Sequence, residues 1–288
     1  MTTSEFNAPR GAEATHGTTE ASPKGESDDE LLDAARAGDP HALERLIERH
    51  QAQIYRFGMR MCRDPEDAQD VMQDTLIALA RGVRELRGTA TLSTWLYTVA
   101  RSFCIKKRRR KHADPASHTG ELEQVSDPAR SPEDSAVGKQ VEHALEQAIA
   151  ALEPMYREVL VLRDIEGLSA AEVATVLDIT EQAVKSRLHR ARVAVRNQIA
   201  PLLGVPDTPA KGACPDVLTL FSRYVEGEIS AEVCREMEQH LAACPQCRSA
   251  CDSLKQTLTL CHTANASTEV PAPVQRALRE AIATLLRT

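Results

Sequence analysis

The run LSAAEVATVLDITEQAVKSRLHRAR, residues 168–192, divides into two short helices with a turn between them. Ser169 is placed to cap the first helix, and Glu172 three residues on completes a reciprocal capping box. Val173, Ala174 and Leu177 recur at helical spacing as its inner face. Asp178-Ile179 forms the turn, and Thr180 caps a second helix whose Val184, Leu188 and Ala191 point inward. Lys185, Ser186, Arg187, His189, Arg190 and Arg192 are left for the remaining faces, with the small Ala183 permitting close approach. A basic second helix behind a capped first one is the geometry of a DNA recognition helix. A charge run alone would describe only a solvated face; the paired caps and inner faces argue for DNA.

Outward from this motif the pattern stays helical. Leu31, Leu32, Ala35, Leu43, Leu46 and Ile47 recur at helical spacing, as do Val71, Leu76, Ile77 and Leu79, with Asp39-Pro40 and Asp64-Pro65 as helix starts. No useful strand alternation appears, and one Trp, four Tyr and four Phe among 288 residues suit small helical domains. The expectation is an all-α chain: a disordered tail over 1–27, a helical domain over 28–112, a linker over 113–135, the helix-turn-helix domain over 136–200, a linker over 201–213, a Cys-rich module over 214–262, and a tail over 263–288 with one amphipathic helix. No run approaches the ~18 apolar residues of a membrane span, and the N-terminus lacks the basic and apolar regions of a secretory signal, so a cytoplasmic, membrane-free protein is expected. With a net charge of −7, any nucleic-acid surface must be a local patch.

Two such patches stand out. Trp95, Tyr97 and Phe103 lie close before six consecutive basic residues, Lys106 to Lys111. Flat faces beside cations suit single-stranded DNA, although Trp95 is equally suited to the core. Upstream, Asp67, Asp70, Gln73 and Asp74 share one helix face, read as exposed and opposite the apolar one.

Cysteine is concentrated at the other end: six of eight lie between 214 and 261. Without an export signal, such density points to metal or redox chemistry. Cys214, His240, Cys244 and Cys247 form a thiolate–imidazole set suited to tetrahedral zinc. His240, Cys244, Cys247 and Cys251 fall within about 60° on a helix, an alignment that Pro245 interrupts. Cys234, Cys251 and Cys261 exceed what one structural site needs, and suit a softer ion such as copper or cadmium, or a disulfide.

The run ALEQAIAALEPMYREVLVLRDIEGLSAAEVATVLDITEQAVKSRLHRARVAVR resembles region 4 of extracytoplasmic-function (ECF) sigma factors. That resemblance implies reading of the −35 promoter element, with Arg187 and Arg190 on guanine edges and Lys185 and Arg192 on phosphates. DPEDAQDVMQDTLIALAR (64–81) resembles region 2.2, whose polar face docks on core RNA polymerase, and TATLSTWLYTVARSFCIKKRRRK (89–111) resembles regions 2.3 and 2.4, which open the −10 element. The resemblance implies DNA roles for Trp95, Tyr97, Arg101, Ser102, Lys106, Lys107, Arg108 and Arg109. Ser102 stands where the family usually has Asn, a change in hydrogen-bonding capacity that bears on −10 preference. YVEGEIS and HLAACPQC resemble the zinc-binding anti-sigma fold, and the fusion with excess thiols resembles CorE-type sigma factors, in which metal controls activity.

The expected function is therefore promoter-specific transcription initiation with core RNA polymerase, gated by metal or thiol state, with no separate anti-sigma partner required. The alternatives are a sigma factor with a purely structural zinc domain, and a polymerase-independent, metal-responsive regulator. No phosphate-cradling Gly loop or nucleophile elbow supports an enzyme.

Overall fold

The computed structural model describes residues 26–86, 91–113, 132–204, 214–264 and 270–285, and most of the expected N-terminal tail and of both linkers lies outside them. The described residues are helical without a strand. In chain order they form α1 (Asp28–Arg36), α2 (Pro40–Cys62), α3 (Pro65–Gly82), α4 (Leu92–Ala113), α5 (Pro132–Ala151), α6 (Pro154–Leu160), a π-helical turn (Val161–Ile165), α7 (Ala170–Leu177), α8 (Glu181–Ile199), α9 (Val217–Val225), α10 (Ala231–Ala243), α11 (Pro245–Thr263) and α12 (Ala272–Leu285).

Local chemistry sets most helix starts. Asp39 accepts from the His41 amide and Asp64 from the Glu66 and Asp67 amides, each before a proline whose fixed φ suits the first turn. Ser27 with Glu30, and Ser169 with Glu172, form complete capping boxes. Between α2 and α3 the chain turns through Arg63 at φ 60°. Just before that turn the two helices cross closely: a Cβ on Gly58 would lie 3.1 Å from the Ala68 Cα. Helix α5 begins at Pro132, within the stretch expected as a linker.

Two apolar cores result. The larger runs continuously through α1–α8 and takes in Cys261 and Ala264 at the end of α11, with Val270, Leu278 and Ile282 around α12. The smaller lies inside the Cys-rich module, built from Val217, Phe221, Met237, Leu241, Cys247, Cys251, Leu254 and Leu258. The end of the module is thus part of the same core as the two preceding helical units. The amphipathic tail expected from sequence is α12, and it packs on α3.

Candidate nucleic-acid interface and metal centre

Helix α8 is held from behind by Val184, Leu188, Ala191, Val195 and Ile199, all fully buried. Its start is capped by Thr180, whose hydroxyl accepts from the Ala183 amide. This presents Lys185, Ser186, His189 and Arg190 along one side. Helix α9 and the turn after it lie against part of that side, leaving a cleft lined by these residues with Thr219, Arg223 and Glu228, in which Lys185 and His189 are half-buried and Arg190 stays exposed. Lys185 Nζ pairs with Glu228 at 3.2 Å. His189 Nε2 lies 3.1 Å from Thr219 Oγ1, and burial holds its pKa below the usual histidine value. Arg190 donates to the Tyr156 hydroxyl, Arg187 is half-buried, and Ser186 is exposed.

Arg192, expected on phosphate, is instead 1% exposed. Its guanidinium forks onto Asp164 at 2.6 and 2.8 Å and reaches Glu226 at 2.7 Å. The π-helical turn explains the partner. It shifts the backbone pattern so that the Glu166 amide reaches the Val161 carbonyl, and Asp164 is directed inward. Glu226 also meets Arg163 at 3.2 Å. The two glutamates of YVEGEIS thus engage cations of the helix-turn-helix domain, a role that sequence reading missed.

The aromatic–basic stretch on α4 is divided. Tyr97 is 1% exposed, edge-on to Phe57, and donates to Glu166 at 2.7 Å, so it is a core residue here and not an open stacking face. Burial and the Glu166 carboxylate push its phenol well above the usual value. Trp95 is half-buried on the same core, Arg101 donates to Glu158 at 3.0 Å, and Ser102 is exposed. Glu172, besides capping α7, accepts from Thr91 at 3.1 Å. Lys106 and Arg109 are exposed and Arg108 is half-buried.

On α3, Asp70 and Asp74 are exposed and Gln73 is half-buried. Asp67 departs from the expected exposed face: it is 8% exposed, because α4 covers it and brings Lys107 onto both Asp67 and Asp70. Lys107 is therefore engaged within the fold.

The metal-ligating set assembles. The donor atoms of Cys214, His240, Cys244 and Cys247 all lie within 4.8 Å of one another. Cys214 arrives just before α9, His240 from the last turn of α10, and Cys244 from the junction that Pro245 creates between α10 and α11. His240 Nε2 is buried without a hydrogen-bond partner in the fold, as an imidazole reserved for an ion would be. Three thiolates and one imidazole in a compact group fit tetrahedral zinc. Cys234, Cys251 and Cys261 join no such group among the described residues. Cys251 is buried in the module's own core, where desolvation pushes its thiol up to about 11. Cys261 is buried in the larger core and is pushed up likewise.

A helical domain with acids exposed on α3, a basic helix-turn-helix domain and a Cys₃His module together define a sigma-type transcription factor carrying a zinc finger. Residues 46–113 match Sigma-70 region 2, residues 142–195 match Sigma-70 region 4, and residues 214–248 match a putative zinc-finger family. The ECF RNA polymerase sigma factor SigM of Mycobacterium tuberculosis H37Rv is 34% identical over 182 residues, covering 63% of this chain and 87% of that one. SigW of Bacillus subtilis 168 is 30% identical over 175 residues, covering 58% of this chain and 94% of that one. Among solved structures, CnrH in complex with the cytosolic domain of CnrY aligns at 23% identity and a TM-score of 0.45, covering 64% of this chain and 100% of that one. The chain belongs to the ECF sigma factors and carries a C-terminal zinc-finger domain. None of its described helices is long and apolar enough to cross a membrane.

Proposed function

We propose that the chain directs core RNA polymerase to promoters, with α8 reading the −35 element, α4 the −10 element and the exposed acids of α3 docking on polymerase, and that its C-terminal module gates this activity. One observation carries the gating: the module lies along the recognition helix, with Glu228 on Lys185, Thr219 on His189 and Glu226 on Arg192. DNA phosphates compete for the same side of α8, so promoter binding requires the module to move. The seat of α12 on α3 supports the same reading at the polymerase-docking helix.

Cys214, His240, Cys244 and Cys247 are the residues that would hold zinc, which would cross-link the start of α9, the end of α10 and the start of α11. The module's own core is small, so the state of these four ligands sets how firmly α9 keeps its shape against α8. A softer ion such as copper or cadmium, or thiol oxidation, acts on the same thiolates. Gating follows only if the open and closed forms differ in affinity for that input.

The test is transcription in vitro with core polymerase and a promoter library, using metal-stripped full-length protein titrated with zinc, cadmium and both copper oxidation states. Glu228→Lys, which sets like charges opposite Lys185, is expected to raise −35 binding and to flatten the metal response. A response identical to wild type, or transcription indifferent to every metal in both proteins, would reduce the module to a structural zinc domain. Charge reversal at Asp70 and Asp74 separates the sigma reading from a polymerase-independent regulator: polymerase binding should fall in the first case and stay unchanged in the second.

A further inference from the structure

The two cysteines outside the C-terminal module face each other. Cys62 ends α2 and Cys104 lies midway along α4, and their Sγ atoms are 3.0 Å apart. A disulfide spans about 2.0 Å, so bonding requires the sulfurs to close by about 1 Å. Neither residue belongs to the Cys/His cluster of the module. Cys104 is 6% exposed in the larger core, whereas Cys62 is half-buried and offers the reagent-accessible side of the pair.

We propose that Cys62 and Cys104 form a redox-modification site, oxidised by a hydroperoxide such as hydrogen peroxide to an intrachain disulfide that staples α2 to α4. The Cys62 thiolate attacks one peroxide oxygen, the O–O bond breaks, and the departing hydroxide leaves as water after protonation. Cys62 is then a sulfenic acid. The Cys104 sulfur attacks the Cys62 sulfur, the S–O bond breaks, and the hydroxyl leaves with the Cys104 proton as a second water. Two thiols and one peroxide thus yield one disulfide and two waters. Cys62 takes the first step because its hydrogen bond and burial hold the Cys104 thiol well above the usual value, with the nearby Arg108 acting in the opposite sense.

The bond closes a loop that contains the whole of α3, the helix assigned above to polymerase docking. Cross-linking such a loop removes conformations from the unfolded chain and raises stability. Oxidation therefore acts on the promoter-opening domain directly, without passing through the zinc-binding thiols.

The site is tested on the full-length protein with graded hydrogen peroxide, N-ethylmaleimide blocking in denaturant, and tryptic mapping without reductant. The expected product joins residues 61–63 to residues 102–106, two hydrogens lighter than the separate peptides and cleaved by reductant. The oxidised protein should also unfold about 5 °C or more above the reduced form, a rise that Cys62→Ser and Cys62→Ala both abolish. The proposal is overturned if Cys62 and Cys104 both carry maleimide at peroxide levels that oxidise the module, or if Cys62 is found joined to a module cysteine. The wild-type peptide map decides this even if both variants fail to fold.

Discussion

Arg192 shows how one residue's charge can mislead while its position informs. It follows Leu188 by four residues, as Leu188 follows Val184, so the helical period already sets it on the buried face of α8. Its charge invites a phosphate contact, but the inward-turned Asp164 and the distant Glu226, with Ser222 beside them, make its burial tolerable. Neither partner is legible locally: one depends on a π-helical turn and the other on a separate module. Arg192→Ala is expected to destabilise the protein by about 3–5 kcal/mol, because Asp164 remains buried without its cation and Glu226 keeps only Arg163. Arg192→Lys should recover only part of that, since an ammonium cannot reproduce the guanidinium fork. Denaturant unfolding of the full-length variants checks both. If Arg192→Ala kept wild-type stability but lost promoter binding, Arg192 would be a phosphate contact after all. The Cys₃His quartet was legible because residue type and short spacing suffice for three of its members. The three extra thiols looked equivalent in sequence, yet packing buries Cys251 and Cys261 in different cores.

At the scale of elements, caps were the most readable feature. Ser169 with Glu172, Thr180, Asp39 and Asp64 all act within three residues of themselves, so sequence proximity carries the whole interaction. The turn after α9 is different. Gly227 sits at φ 69°, where a side chain is strained, and it reverses the chain so that Glu226 reaches Arg192 and Arg163 while Glu228 reaches Lys185. The sequence run YVEGEIS signals a turn, but complementarity to a basic helix roughly 40 residues upstream lies outside any local pattern. Gly227→Val is expected to strain this turn and loosen both carboxylate contacts without touching the Cys/His ligands. Hydrogen exchange should then quicken along α8 and α9, while α10 and the zinc stoichiometry stay as in wild type. Unchanged protection on α8 would mean that the two glutamates do not hold the module there.

The whole molecule is tied together at Arg60, which is 8% exposed although it lies on the longest helix of the first domain. Its guanidinium reaches Glu146 on α5 at 3.1 Å, Glu166 beyond the π-helical turn at 3.7 Å, and the Ala264 carbonyl at the end of the module at 2.9 Å. Arg60 therefore joins all three units, and Tyr97 on Glu166 and Arg101 on Glu158 extend the same seam. Each contact crosses between units, so none is encoded in the periodicity that identified the units singly. The polar contacts of the seam lie beside an apolar core that the units share. On separation charged groups regain hydration, whereas apolar faces resist exposure to water. Arg60→Ala is accordingly expected to leave helix content unchanged while the radius of gyration increases. Exchange should accelerate at Thr91–Arg101 and at Glu158–Glu172, whose side chains meet across the seam. Small-angle scattering and circular dichroism on one sample check the two halves of that expectation. A wild-type radius would place the closing energy in the apolar contacts of Cys261, Ala264 and Leu278, and release would then require those side chains to leave the shared core.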